Sequence, residues 1–372
     1  MFTKATELPS DWQSLLPNDH FLKPASLQIY EDVKLPDVQF LYALVYQNEK
    51  PVAAGYFQVL SLKKHLLSKS KSSTTIYGFW QSLSLLVRPK LLVGGHLFRH
   101  DICSFYAIQE LSPFEIFQAY QSAIQIALRE SRAHAVLVKD VQQPIMVYFQ
   151  HHAPQYFLLR NDISMEMKIA PSWNVLEDYE AALKHKYGQR FRKIRQSLNG
   201  ATIKELTAEE VFAHREVLYN LYLQVCERQP VRLGLINAAY LPTLKKENSN
   251  LHIWLVEYNQ KPIAFFSAWS QETVLDMFYI GLDYTCNDSL QLYFNLLFFG
   301  LEQAIILGKK KLILGRTALE AKARVGCEPR YLSTYLFIKN GGLRWLINQS
   351  WNHFSPAEEV WENRHPFKKM IE

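Results

Sequence analysis

Two stretches far apart in the chain carry one pattern. Residues 40–46 form an apolar and aromatic run, 47–50 a polar corner, and 51–57 a second apolar run. Residues 251–258, 259–261 and 262–268 repeat that order. β-Branched and aromatic runs flanking a polar corner predict strand, turn, strand. Pro51 and Pro262 open the second strand of each hairpin, where a missing N–H is tolerated. A helical pattern follows in both halves, from Ser112-Pro113 to about Glu130 and from Asp288-Ser289 to about Leu307. Ser112 and Asp288 suit N-cap positions. A buried strand then follows each helix, over 134–139 and 311–316. Hairpin, further strand, helix and parallel strand, in that order twice, predict an α/β chain built from one duplicated unit. Each copy would be a mixed twisted sheet flanked by helices, the first over residues 1–170 and the second over 171–372. The first copy carries about 35 extra residues between hairpin and helix. They fall between Leu62 and His100, where the polar run 68–75 predicts a loop.

A length of 372 residues suits two domains, and 48% hydrophobic residues can fill a sizeable core. Gly is scarce at 14, which argues against Gly-rich dinucleotide or phosphate-loop architectures. Cys103, Cys226, Cys286 and Cys327 form no CxxC pair, so neither a thiol metal site nor a redox pair is expected, and a reducing compartment fits. The histidines, His151-His152 included, show no ligand spacing with carboxylates, and no GxSxG elbow is present. The most apolar run, residues 290–307, is interrupted by Gln291, Asn295, Glu302 and Gln303, and residues 1–7 lack a signal-peptide pattern. The expectation is a cytoplasmic protein without a membrane span.

Lys plus Arg is 41 and Asp plus Glu is 35, a net charge of +6. The surplus has a place. Over residues 178–198, Leu183, Tyr187, Phe191, Ile194 and Leu198 form one helical stripe. The opposite face carries Lys184, Lys186, Arg190, Arg192, Lys193 and Arg195, which together match the whole excess. No acidic residue occurs from Ala181 to Ile203. Gly188 predicts a bend there. A second helix is expected over 208–228, with Thr207 as N-cap and Glu210 completing a capping box. The basic face has three readings: a solvated surface, a dock for a phosphorylated substrate or acyl carrier, or a contact for the acceptor stem of a charged tRNA.

The tandem repeat, the helix over 179–195, the run Ile280-Gly281-Leu282-Asp283-Tyr284 before a long helix, and the segment 315–329 together resemble the FemAB-like branch of the GNAT acyltransferase superfamily. The resemblance spans about residues 40–340, and its most specific part is the segment 315–329. It implies two tandem GNAT units and transfer of an acyl or aminoacyl group to an amine. In such a unit, splayed parallel strands receive the pantetheine arm of acetyl-CoA or another acyl-CoA, and the next helix N-terminus takes the pyrophosphate. The resemblance puts those contacts at Gly281, Leu282, Ser289 and Leu290. The loop 283–290 departs from the family pattern, having no Gly, Lys or Arg and two Asp. The first copy offers Gly94-Gly95-His96-Leu97-Phe98-Arg99-His100, displaced from the helix that starts near Ser112.

The segment 315–330 leaves a strand at its C-terminal end, where ligand sites of α/β sheets gather. Arg316, Thr317, Lys322 and Arg324 there, with Arg192 and Arg195 of the basic helix, suit phosphate or carboxylate groups. Arg316 is expected at the reacting group. Glu320 suits a base for an attacking ammonium, and equally an i,i+4 partner of Arg324. Tyr335, or Tyr331, suits the general acid for the leaving group. The reading is an N-acyltransferase in which an amine, on a small molecule or a carrier, enters the cleft between the units. It attacks an anionic CoA, carrier or tRNA donor directly, with no metal. The alternative is a non-catalytic binding module on the same duplicated scaffold.

Overall fold

The computed structural model describes residues 1–18, 20–62, 89–99, 102–141, 145–159, 163–229, 234–354, 362 and 364–369. The polar run 68–75 lies outside them. Among the described residues, fourteen strands form two mixed sheets. The first contains β1 (Val38–Gln47), β2 (Lys50–Ser61), β3 (Lys90–Gly94), β4 (Phe105–Ala107), β5 (Ala135–Val138), β6 (Phe157–Leu159) and β14 (Thr334–Ile338). Its order is β1-β2-β3-β5-β14-β6, with β4 beside β2. The second contains β7 (Ile163–Lys168), β8 (Thr202–Glu205), β9 (Leu251–Tyr258), β10 (Lys261–Ser270), β11 (Val274–Leu282), β12 (Lys311–Gly315) and β13 (Glu328–Tyr331), in the order β13-β7-β12-β11-β10-β9-β8.

Both predicted hairpins form. β1 pairs with β2 and β9 with β10, antiparallel, around turns whose residues Asn48, Glu49, Asn259 and Gln260 all have positive φ. Such turns match the right-handed twist of the strands. A third strand follows each hairpin, then a helix crosses over to a parallel partner, giving the pairs β3–β5 and β11–β12. The crossover helices are Pro113–Ser131 and Leu292–Ile306. These are two GNAT-like units in tandem.

The units exchange strands. The first comprises residues 1–162, 230–237 and 332–358, and the second comprises 163–229, 238–331 and 359–372. A single cut at 170/171 therefore does not separate them. β14 lies between β5 and β6 of the first sheet, and β7 lies between β12 and β13 of the second.

Local expectations meet local structure with small shifts. Ser112 caps its helix in a capping box with Glu115, and Thr207 does the same with Glu210. The helix expected over 208–228 breaks at His214 into Ala208–Ala213 and Arg215–Glu227. That expected over 178–198 is Leu176–Ala182 followed by His185–Ser197. The break falls at Leu183, which bridges to Phe367, and Gly188 continues the helix. Leu183, Phe191, Ile194 and Leu198 are buried and Tyr187 packs on the same core, so the stripe is the inward face. Full burial of each large apolar side chain stabilises by about 1.5–3 kcal/mol. The Leu292–Ile306 helix is apolar nearly all round because it is enclosed in the second core. Among the described residues no single helix is long and apolar enough to cross a membrane.

Candidate functional site

The parallel pair of the second unit is short and opens. Val274, Leu275 and Asp276 of β11 pair with Lys311, Leu312 and Ile313 of β12, and β11 then runs on to Leu282 without a β12 partner. Gly315 at φ 81° and Ala318 at φ 54° turn the chain out of β12 into the helix Leu319–Val325. On the other side of β11 the β10 register slips between Phe266 and Ala268. There the Ser267 hydroxyl donates to the Tyr279 carbonyl at 2.7 Å and accepts from the Tyr279 N–H at 2.8 Å. The splay expected of a GNAT unit is thus present.

The residues expected to meet a cofactor beside it are engaged elsewhere. Gly281 and Leu282 are buried, and a Cβ on Gly281 would lie 2.4 Å from the Phe265 ring and 2.6 Å from Leu221. The Leu290 carbonyl accepts from Ser197 Oγ at 2.8 Å and Asn295 Nδ2 at 3.0 Å. The Ser289 hydroxyl donates to the Cys286 carbonyl at 3.1 Å. Residues 284–290 are a short helix capped by the Asp283 carboxylate, and Gln291 in a left-handed conformation separates it from Leu292–Ile306. At the N-terminus of that long helix, Asn287 Oδ1 accepts from the Tyr293 N–H at 3.2 Å. In the first unit the Glu115 carboxylate occupies the matching helix end, accepting from Ser112 N at 2.8 Å and Oγ at 2.7 Å. Both helix ends that would receive a pyrophosphate are capped by the protein's own oxygens. These residues do not fit the diphosphate of a coenzyme A.

The terminal segment and the basic helix meet. Glu320 accepts from Arg324 at 2.5 Å and from Arg364 at 3.0 Å, and these two guanidiniums hold its carboxyl below the ordinary carboxylate range. A carboxylate so held is a poor base for an ammonium, and the i,i+4 reading of Glu320 and Arg324 is the one present. Arg190 lies over the Phe294 ring at 4.9 Å. Partial burial and the neighbouring Arg324 charge pull Arg190 below its ordinary value, which puts the two guanidiniums in one another's field. Arg192 and Arg195, the two expected to bind substrate, are paired with Glu180 at 2.6 Å and Glu302 at 3.2 Å. Thr317 is exposed and Arg316 is half-buried.

Lys322 differs from its neighbours. It is 3% exposed, and burial pushes its ammonium down to about 7. Among the described residues its side chain makes no hydrogen bond or ion pair. The group that favours its charge is the thiol of buried Cys327, itself pushed up to about 12 by burial and so neutral at pH 7. Tyr179 and Tyr293 feel the same thiol.

Tyr335 lies elsewhere. It sits on β14 in the core of the first unit, 2% exposed. It stacks on Phe149 at 4.9 Å and donates to the Met146 carbonyl at 3.3 Å. Burial raises its phenol, so it fills a packing role there. Tyr331 is 67% exposed on β13. Sequence reasoning missed Arg364, whose place beside Glu320 depends on a contact 44 positions away. It placed Arg190 on the basic face without singling it out from Arg192 and Arg195, since spacing alone cannot tell a paired arginine from one facing Phe294.

No protein-family profile and no curated protein sequence matches the chain. Solved structures do. FemX superposes with a TM-score of 0.52 over 94% of this chain and 99% of its own, at 11% identity. L-PGS from Bacillus licheniformis aligns at 0.47 over 84% and 88%, with 11% identity. A conserved protein from Bacteroides thetaiotaomicron aligns at 0.48 over 90% and 96%, with 9% identity. The chain has the fold of FemX: two GNAT-like units in tandem, as the sequence resemblance implied.

Proposed function

We propose that the chain is an acyl- or aminoacyltransferase and that its transfer site lies in the second unit, where the segment after β12 presents Lys322. The observation that carries this reading is a lysine buried to 3% with no counter-charge among the described residues. An unpaired buried cation is costly, and strongly perturbed titrating groups gather at functional sites. An anionic group of the substrate, or the oxyanion that forms during transfer, would supply the missing charge. The amine of a small-molecule or carrier-bound acceptor attacks the donor carbonyl, a C–N bond forms, and charge collects on the carbonyl oxygen beside the Lys322 ammonium. Collapse breaks the bond to the leaving oxygen or sulfur, and the proton given up by the attacking nitrogen passes through solvent to that leaving group. Positioning does much of the remaining work, so no covalent enzyme intermediate is required. Arg190 and Arg324 hold the anionic part of the donor, with Arg316 and Thr317 at the same strand end.

The capped helix ends argue for a donor other than a coenzyme A, such as an aminoacyl ester on tRNA or an acyl carrier. The same capping favours a second reading, a binding module that has lost catalysis. Mass spectrometry of a peptide amine incubated with the chain and either aminoacyl-tRNA or an acyl-CoA tests both. Mass addition with the ester donor, abolished in Lys322→Met, is expected. Mass addition undiminished in that variant sinks the role of Lys322. No addition with either donor leaves the binding module standing.

A further inference from the structure

The first unit has a surface that the transfer site does not use. The helix Gly341–Phe354 follows β14 and packs on it, with Arg344 donating to the Ile338 carbonyl at 2.8 Å and lying over the Phe337 ring. One turn into this helix, Trp345 is 61% exposed and Leu346 57%. The two are adjacent, large and apolar, and both side chains are open to solvent.

Their surroundings are basic. No Asp or Glu occurs between Glu328 and Glu358 in sequence. At the end of β14 the Lys339 N–H bonds the His134 carbonyl at 2.9 Å, and the His134 N–H bonds the Lys90 carbonyl at 2.8 Å. Those bonds tie the ends of β14, β5 and β3 into one rim of the sheet. Lys90 Nζ reaches the Ser131 carbonyl at 3.5 Å, next to exposed Arg132. Arg129 is exposed one helical turn earlier, and the acids at this end of the sheet are exposed Glu130 and half-buried Asp37, whose carbonyl accepts from the Ser61 N–H beside Lys90.

A tryptophan and a leucine held out beside a row of lysines and arginines fit a boundary that is apolar within and anionic at its face. Tryptophan favours the headgroup layer of a bilayer, and nearby cations are drawn to anionic lipids. We propose that this rim of the first unit docks on an anionic lipid surface, with Trp345 and Leu346 entering the headgroup layer and Lys339, Lys90 and Arg132 facing the phosphates. This surface is independent of the transfer reading.

Co-sedimentation of the full chain with vesicles tests the proposal, using phosphatidylcholine alone and phosphatidylcholine mixed with phosphatidylglycerol. Binding to the mixed vesicles is expected, weakening as salt rises. The double variant Trp345→Ser/Leu346→Ser and the single variant Lys339→Glu should each bind about tenfold more weakly. These positions are exposed, and circular dichroism checks that the variants fold. Equal binding of parent and double variant overturns the proposal. So does a mass in light scattering that doubles for the parent and not for the double variant, since a second copy would then cover this face.

Discussion

An ammonium buried without a counter-charge burdens the fold, and removing it should show that. Below pH about 7 Lys322 is charged in both the folded and unfolded chains, so the cost is fully felt. Between about 7 and the ordinary value of 10.5 the unfolded chain holds a proton that the folded chain has released, so stability rises with pH. Above that window the cost is gone. The shift from 10.5 to about 7 corresponds to a penalty on the order of 4–5 kcal/mol at neutral pH and below. Lys322→Met keeps the shape of the side chain and removes the charge. It should raise the melting temperature at pH 6 and flatten the rise in stability between pH 7 and 10, while transfer is lost. Calorimetry across that range measures both effects, and a destabilised variant would contradict the account. Two glycines give an opposed pair. Gly326 caps its helix at φ 111°, and a Cβ there would lie 2.4 Å from the Phe367 ring, so Gly326→Ala should cost about 2–4 kcal/mol. Gly188 is helical and a Cβ there meets nothing within 4 Å, so Gly188→Ala should stabilise by about 0.5–1 kcal/mol. Denaturant midpoints read both.

Elements were more legible than the roles of their ends. Hairpin, crossover helix and parallel strand could be read in both halves because period-2 and period-3.6 patterns are local. Ser112 and Thr207 were legible as caps for the same reason, a cap being a contact three residues away. What occupies a helix end beyond its first turn was not. Asn287 reaches the Tyr293 N–H only because Gln291 adopts a left-handed conformation between two helices. The capped ends carry a prediction. A ligand at 100 times its Kd stabilises by about 2.7 kcal/mol, and acetyl-CoA should produce no such rise in melting temperature. A clear rise would show that the caps yield to a diphosphate. Asn287→Ala should cost about 1 kcal/mol, the usual value of a lost cap. Within the basic helix, Arg190→Glu should weaken donor binding and its salt dependence more than Arg192→Glu. Arg192 already serves Glu180, whereas Arg190 shares the field of Arg324.

At the scale of the whole molecule, the units are built from exchanged strands, so neither is contiguous in sequence. A fragment of residues 1–170 lacks Thr334–Ile338, which pairs with both β5 and β6. Those strands would be left with open edges, and the Phe149 ring would lose Tyr335. The fragment should remain unfolded or aggregate, as dispersion in its amide NMR spectrum would report, whereas the full chain should melt cooperatively. A well-dispersed spectrum from the fragment would show that β14 is dispensable.

The sequence by itself determined the duplicated unit, its mixed sheets, the inward stripe of the basic helix and the location of the charge surplus. All of these follow from patterns repeated within a few residues of one another. Only the tertiary structure decided which charges are already spent. Glu320 read in sequence as either a base or the i,i+4 partner of Arg324 and Arg192 as a substrate contact, and both are paired with protein charges, whereas Lys322, one basic residue among several in its segment, proved to be the buried one. Burial and pairing depend on neighbours brought together from distant positions, such as Arg364 beside Glu320 or β7 beside β12 and β13, and no local pattern encodes them. The surplus of +6 was visible from composition, but whether a given cation meets a carboxylate, an aromatic ring or nothing was settled by packing.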